Sequence, residues 1–227
     1  LSFTVVGNVT QAVVSSVVIG TVATNANGIL KITFNNSATQ SAVNSTLQGL
    51  FYSNSSRNPP GSLSLDWIFD DGAGGIVTNT IAVTVTTVND PPVINASIGG
   101  TYTENTSPLN FITSTSVTDP DATNFNGGSL TVSLASWFNG DVISVSNVGS
   151  ITTSGSDINY NGQKIGTFSG GAYKASLSIS FTSINATLDA VNALLNAISF
   201  QNSGDNPDNF GARSSVSATI TLSDGGN

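Results

Sequence analysis

The sequence predicts an all-β protein, built as β-sandwiches in series with one short helix in each. Three observations carry this. Val, Ile, Thr and Phe are frequent, Met is absent and Glu occurs once. Such β-branched and aromatic side chains suit a pleated, half-buried surface. Apolar residues recur at every second position in several short runs, and Gly-, Ser-, Asn- and Asp-rich turns separate the runs, the pattern of strands with one buried face. Finally, three blocks occur twice in the same order, about 150 residues apart. Duplication at a fixed period is the mark of tandem modules.

The blocks are VVIGTVATNANGILKITFNNS (17–37) with QKIGTFSGGAYKASLSISFTS (163–183), SAVNSTLQGLFYSNSSRNPP (41–60) with DAVNALLNAISFQNSGDNPD (189–208), and LDWIFDDGAGG (65–75) with ATITLSDGGN (218–227). Ile165 lies 146 residues after Ile19, Ala190 lies 148 after Ala42, and Asp224 lies 153 after Asp71. The drift is small enough for loop-length changes. The phase is offset: the first copy lacks a counterpart of residues 101–141, and its start, LSFTVVGNV, aligns loosely with DVISVSNVG. The second copy stops where the first continues through IVTNTIAVTVTTV. The expected boundaries are a partial repeat at 1–91, without its first strands, and a repeat at 92–227, without its last strand. The missing strands are expected from covalent neighbours in a longer array or from neighbouring chains.

Taken in chain order, Leu30, Ile32 and Phe34 alternate with polar residues and predict a strand with a core-facing side. Val43, Leu47 and Leu50 then fall on one face of a short helix. Leu65, Trp67 and Phe69 alternate again, as do Ile81, Val83 and Val85. Asp90-Pro91-Pro92-Val93 predicts a break between modules, because consecutive prolines lack N–H donors and hold the chain extended. In the second module Leu130, Val132 and Leu134 predict one strand and Leu177, Ile179 and Phe181 another. A helix capped by Thr187 places Val191, Leu194, Leu195 and Ile198 on one face. Turns are expected at NGDV, SGSD, SGGA and DGAGG.

Composition limits function. Net charge is −8 with five basic residues, which disfavours electrostatic capture of nucleic acid or anionic lipid. Ser, Thr and Asn exceed a third of the chain, which with the acidity suits an extracellular, cell-surface setting. There is no apolar run of membrane-spanning length, so no membrane insertion is expected. Cys is absent, so no disulfide can staple the fold. His is absent too, which removes the commonest general base and transition-metal ligand. No facing pair of acids suggests a glycosidase, and no enzymatic activity is expected.

The few acids gather around the double proline. Asp90 stands in the linker, Asp119 and Asp121 in DPD (119–121), and Asp224 in LSDGGN (222–227). If the linker and alternate loops share one end of a sandwich, these carboxylates meet at a module junction. Like charges brought together favour a hard cation with oxygen ligands.

VNDPPV (88–93), YTEN (102–105), VTDPDA (117–122), IGTFSGG (165–171), AVNALLNAISFQNSGDNP (190–207) and TLSDGGN (221–227) together resemble the cadherin-like repeats of large bacterial surface proteins and adhesins. The resemblance implies Ig-like β-sandwiches in tandem with Ca2+ at their junctions. It implies Asn89, Asp90, Asp119, Asp121 and Asp224 as ligands at the junction within the chain. Glu104, Asp71 and Asp70 would serve junctions to flanking repeats. Two departures temper it: Thr87 and Pro91 replace the outer acid and amide of the linker motif, and no mid-domain Asp-Arg-Glu stretch is present. One or two ions are therefore expected rather than three, with affinity on the order of 0.1–1 mM.

The expected function is a structural and adhesive module, a calcium-stiffened rod for cell-surface or cell–cell attachment. Its partners are neighbouring repeats, with a surface receptor or glycan as a further target. The alternative is a self-assembling extracellular fibre subunit completed by strand donation between chains. A carbohydrate-binding module is a lesser alternative, motivated by Trp67 and Trp137, although Trp67 alternates with Leu65 and Phe69 as a packed residue would. Asn-x-Ser/Thr sequons, as at Asn8 and Asn185, occur about as often as this composition gives by chance. Arg213 is expected to form a packed ion pair with Asp205 or Asp208.

Overall fold

The structure is a computed structural model and describes residues 1–226. It is mostly antiparallel β-strand with two short helices, and it divides into compact units at Leu1–Ser55 and from Ser56 onward.

The first unit is a meander of β1 (Ser2–Val6), β2 (Val9–Val14), β3 (Val17–Ala26) and β4 (Ile29–Phe34), hydrogen-bonded in that order, followed by α1 (Gln40–Gln48). Its hairpins use two-residue turns, and Ser15 and Ser16, like Asn27 and Gly28, have positive φ. Turns of this hand match the twist of the flanking strands. Thr39 caps α1 by accepting from the Ala42 amide. Leu50 lies beyond the helix.

The second unit opens with a separate hairpin, β5 (Ser62–Asp70) and β6 (Ile76–Thr84), paired over nine residues from Ser62↔Thr84 to Asp70↔Ile76. Compactness thus divides the chain upstream of the 91/92 boundary set by the sequence pattern, because β5 and β6 form their own sheet rather than extending the meander. After the prolines come β7 (Val93–Ile98), β8 (Leu109–Asn110), β9 (Ile112–Thr118), β10 (Ser129–Leu134), β11 (Asp141–Val145), β12 (Ile151–Ser154), β13 (Asp157–Tyr160), β14 (Gln163–Ser169), β15 (Leu177–Phe181), α2 (Leu188–Asn196), β16 (Ile198–Asn202) and β17 (Ala218–Ser223). They form a six-stranded sheet β12-β13-β14-β15-β10-β17, a three-stranded sheet β11-β16-β8, and the pair β7-β9.

One apolar core serves these sheets. Leu130, Val132, Ile165, Leu177, Ile179 and Phe181 come from the large sheet, Ile143, Ile198 and Phe200 from the small one, and Val191, Leu194 and Leu195 from α2. Each such side chain contributes roughly 1.5–3 kcal/mol on burial. Thr187 caps α2 as its sequence predicts, accepting from the Ala190 amide. Ile198 is buried as expected, but it opens β16, because the helix stops at Asn196 with Ala197 as its cap.

Alternation reads differently in the first unit. Leu177, Ile179 and Phe181 are buried, whereas Leu30 is 44% exposed and Ile32 and Phe34 are only half-buried. The first unit holds a single sheet and one short helix, so its apolar face lacks the second sheet that closes the core of the other unit.

The two regions share local detail. β2 bulges against β3 beside the Ala12↔Gly20 pair, and β13 bulges against β14 beside Ile158↔Gly166. A Cβ at Gly20 would overlap the Thr33 carbonyl oxygen, and one at Gly166 that of Ser180. The start of the chain matches a different place from the one LSFTVVGNV suggests. β1 pairs with β2 across Gly7-Asn8 as β12 pairs with β13 across Gly155-Ser156, while β11 pairs with β16.

Candidate metal centre

β9 ends at Thr118 and delivers Asp119-Pro120-Asp121 at once. Asp119 Oδ1 accepts from the amides of Asp121 (3.1 Å) and Ala122 (2.8 Å), folding the loop as an Asx turn. Asp121 Oδ2 accepts from the Asp90 amide at 3.0 Å, tying the linker to this loop.

Asp224 arrives from the far end of the chain. β10 and β17 pair from Ser129↔Ser223, and Gly127-Gly128 then runs against Asp224-Gly225. A Cβ at Gly128 would overlap the Ser223 carbonyl oxygen, so only glycine permits this approach. Asp224 is 4% exposed, and its Oδ1 accepts from the Gly226 amide at 2.9 Å.

Asp119, Asp121 and Asp224 each bring a carboxylate oxygen within 4.8 Å of the others. Two like charges at about that distance repel by roughly 1 kcal/mol in water and roughly 3–4 kcal/mol at an effective dielectric of 20. Burial pushes the Asp119 carboxyl above its ordinary value, and the neighbouring Asp121 and Asp224 add to this against the two amides it accepts. Asp119 Oδ2 and Asp121 Oδ1 are buried and have no hydrogen-bond partner. Buried carboxylate oxygens without donors are costly. This donor set is all oxygen and strongly negative, which fits a hard divalent cation.

The other candidate residues are placed elsewhere. The Asp90 carboxylate lies 3.5 Å from the Arg57 guanidinium, with 70% of the Arg57 side chain exposed, so it is the Asp90 backbone that reaches the triad. Asn89 is exposed. Glu104 is exposed in a turn beside Asn105, which has a positive φ. Asp70 accepts from Gly72 N, and Asp71 from Ala73 N and Gly75 N, all within 2.9 Å. Those amides hold the Asp71 carboxyl below its ordinary value. Asp71 and Asp224 follow matching strands yet differ in burial, because β5 has no neighbour like β10 with its Gly127-Gly128 approach.

Arg213 is buried, and its partner is Asp141 rather than Asp205 or Asp208. Nη1 reaches Oδ1 at 2.9 Å and Nη2 reaches Oδ2 at 2.8 Å. Asn202 Nδ2 (2.7 Å) and the Phe138 amide (2.7 Å) complete the carboxylate, and Phe138 lies under the guanidinium at 4.5 Å. Asp208 contributes only its carbonyl, which accepts from the Arg213 amide. Asp141 sits in NGDV, which reads as an ordinary turn; its pairing with Asn202 across β11 and β16 is what carries it inward. Tyr102 of YTEN donates to the Asn202 carbonyl at 2.9 Å and packs edge-on to Phe200.

Trp137 packs against the core, and Trp67 shares a face of β5 with Leu65 and Phe69. Among the described residues no helix is long and apolar enough to cross a membrane. No known protein family, curated protein or solved structure matches the chain.

Proposed function

We propose that the chain is a piece of an extracellular rod of tandem cadherin-like β-sandwiches, in which Ca2+ bound by Asp119, Asp121 and Asp224 braces the entry of one module from the preceding linker. The observation that carries this reading is the pair of buried, donor-free oxygens, Asp119 Oδ2 and Asp121 Oδ1, inside a group of three carboxylates. A divalent cation there replaces repulsion with attraction. The Asp90 amide bound to Asp121 couples the same loop to the linker, so occupancy restrains the hinge. The matched bulges at Gly20 and Gly166 support reading the chain as successive copies of one module. The role is mechanical: reach, stiffness and attachment at a cell surface.

The test is a thermal melt of the full chain in chelator and then in about 10 mM calcium. With affinity on the order of 0.1–1 mM, the midpoint should rise by roughly 3–8 °C. Asp121→Asn should abolish most of that rise. An unchanged midpoint in the parent chain would reduce the acids to turn residues and remove the reading.

A further inference from the structure

The loop between β16 and β17, residues 203–217, contains neither strand nor helix. The matched blocks show where it has grown. Leu65 follows Pro60 in the first copy where Ala218 follows Asp208 in the second, so the second copy carries five more residues at this point. The added stretch begins with Asn209-Phe210-Gly211-Ala212-Arg213. The shorter copy joins its matching elements without it, so the connection alone does not require this length.

The longer loop is held in one shape. Arg213 is clasped to Asp141 in the interior, and its amide donates to the Asp208 carbonyl at 2.8 Å. Asn206 Oδ1 accepts from the Phe210 amide at 2.8 Å, and the Asn206 carbonyl accepts from the Asn209 amide at 3.2 Å. Asn209, Phe210 and Gly211 have φ of 52°, 55° and 79°. Asn and Gly adopt this region readily, whereas a bulky aromatic does so under strain. The result of that strain is exposure: Phe210 is 93% exposed. Asp205 and Asp208 are exposed on the same loop, and among the described residues neither carboxylate has a hydrogen bond or ion pair. A fixed, bare ring beside free carboxylates attracts a cation twice over, through the ring face and through charge. The fold already contains the first of these contacts, since the Arg213 guanidinium lies 4.5 Å from the centre of the Phe138 ring.

We propose that Phe210, with Asp205 and Asp208, docks an arginine-bearing segment of a different protein. The guanidinium stacks on the ring and pairs with the carboxylates, as its planar, weakly hydrated charge favours. Charge complementarity argues against a second copy of this chain as the partner. Of its five basic residues, Arg57, Lys164 and Arg213 are paired within the chain and Lys174 sits over Tyr173. This inference goes beyond the metal reading and does not depend on it.

The test titrates the full chain into a capped, labelled peptide of alternating Gly and Arg at low ionic strength, read by fluorescence polarisation. A peptide with Gln in place of Arg serves as comparison. The parent should bind the Arg peptide and not the Gln peptide. Phe210→Leu, which keeps an apolar side chain but removes the ring, should weaken binding roughly three- to fivefold. Asp205→Asn combined with Asp208→Asn should weaken it roughly three- to tenfold. Glu104→Gln combined with Asp189→Asn alters net charge equally at exposed sites outside the loop, and should change binding much less. Melting midpoints in chelator should match the parent for every loop variant. Equal binding of both peptides, parent-like binding by Phe210→Leu, or equal losses in the two double variants overturns the proposal. A lowered midpoint in Phe210→Leu would assign the ring to the fold's own packing and overturn it too. So would a dimer of the free chain that Phe210→Leu dissociates, which would put a second copy on this loop.

Discussion

Arg213 clasps Asp141 through both terminal nitrogens, at 2.9 and 2.8 Å, across 72 residues of chain and with both side chains buried. Removing either partner leaves a charge in the interior. Asp141→Ala should therefore cost about 3–5 kcal/mol in denaturant unfolding. Asp141→Leu combined with Arg213→Met should lose much less than the sum of the two single changes, since neither charge is then stranded. A double-mutant cycle by chemical denaturation measures this coupling, and additive losses would show that the pair is not coupled.

The acid triad should behave oppositely with and without metal. In chelator, Asp119→Asn removes one of three mutually repelling charges while keeping the Oδ1 that accepts from Asp121 N and Ala122 N. It should stabilise the chain by about 1 kcal/mol. In millimolar calcium the same change should destabilise relative to the parent, because the proposed site then loses one of its three carboxylates. Paired melts read the sign in each condition.

The pH response of the metal-free chain follows from the raised Asp119 carboxyl. A carboxyl whose pKa is higher folded than unfolded favours the folded state when protonated. Its contribution is full below the unfolded value and is lost as pH rises through the folded one. In chelator, the parent should therefore gain on Asp119→Asn as pH falls into the carboxylate range. Calcium bound as proposed would compete with protons for the same oxygens, so its effect should weaken as pH falls through that range. Asp71 has the reverse sign. Its lowered carboxyl favours folding above the unfolded pKa, and that contribution fades as pH falls through the folded pKa. Melts of parent and Asp119→Asn from pH 7 to pH 4 test the first of these directly.

Gly166 sits where a side chain would strike the Ser180 carbonyl, and Gly20 where one would strike that of Thr33. Gly166→Ala should cost about 1–3 kcal/mol, as an overpacked interior does. The loss should appear in the unit that begins at Ser56, and Gly20→Ala should weaken the unit 1–55 instead. Hydrogen exchange resolved by segment distinguishes the two, and a loss spread equally over both units would contradict the division.

Much of the strand content was legible from alternation, since Leu130, Val132, Leu177 and Ile179 face one core at period two. The Thr187 cap was legible because a hydroxyl before an apolar helical stripe has a local cause. What alternation cannot report is whether a second layer covers the face, which is why Leu30 and Leu177 share a pattern and differ in burial. In the site, Asp119, Asp121 and Asp224 converge as the acids around the linker suggest. Asp90 contributes through its amide, a role no side-chain motif encodes. Asp141 was hidden because its partners, Asn202 and Arg213, are 61 and 72 residues away.

The bond from the Asp90 amide to Asp121 stands just ahead of the first rung of the β7-β9 ladder, Val93↔Thr118. Tension drawn through the linker from its N-terminal side meets that single bond before it reaches any rung of the sheet. Its acceptor is a carboxylate shared with the acid triad, so whatever neutralises the triad also changes how firmly this latch holds. A pull on the linker would thus enter the fold at the point where its charge is adjustable.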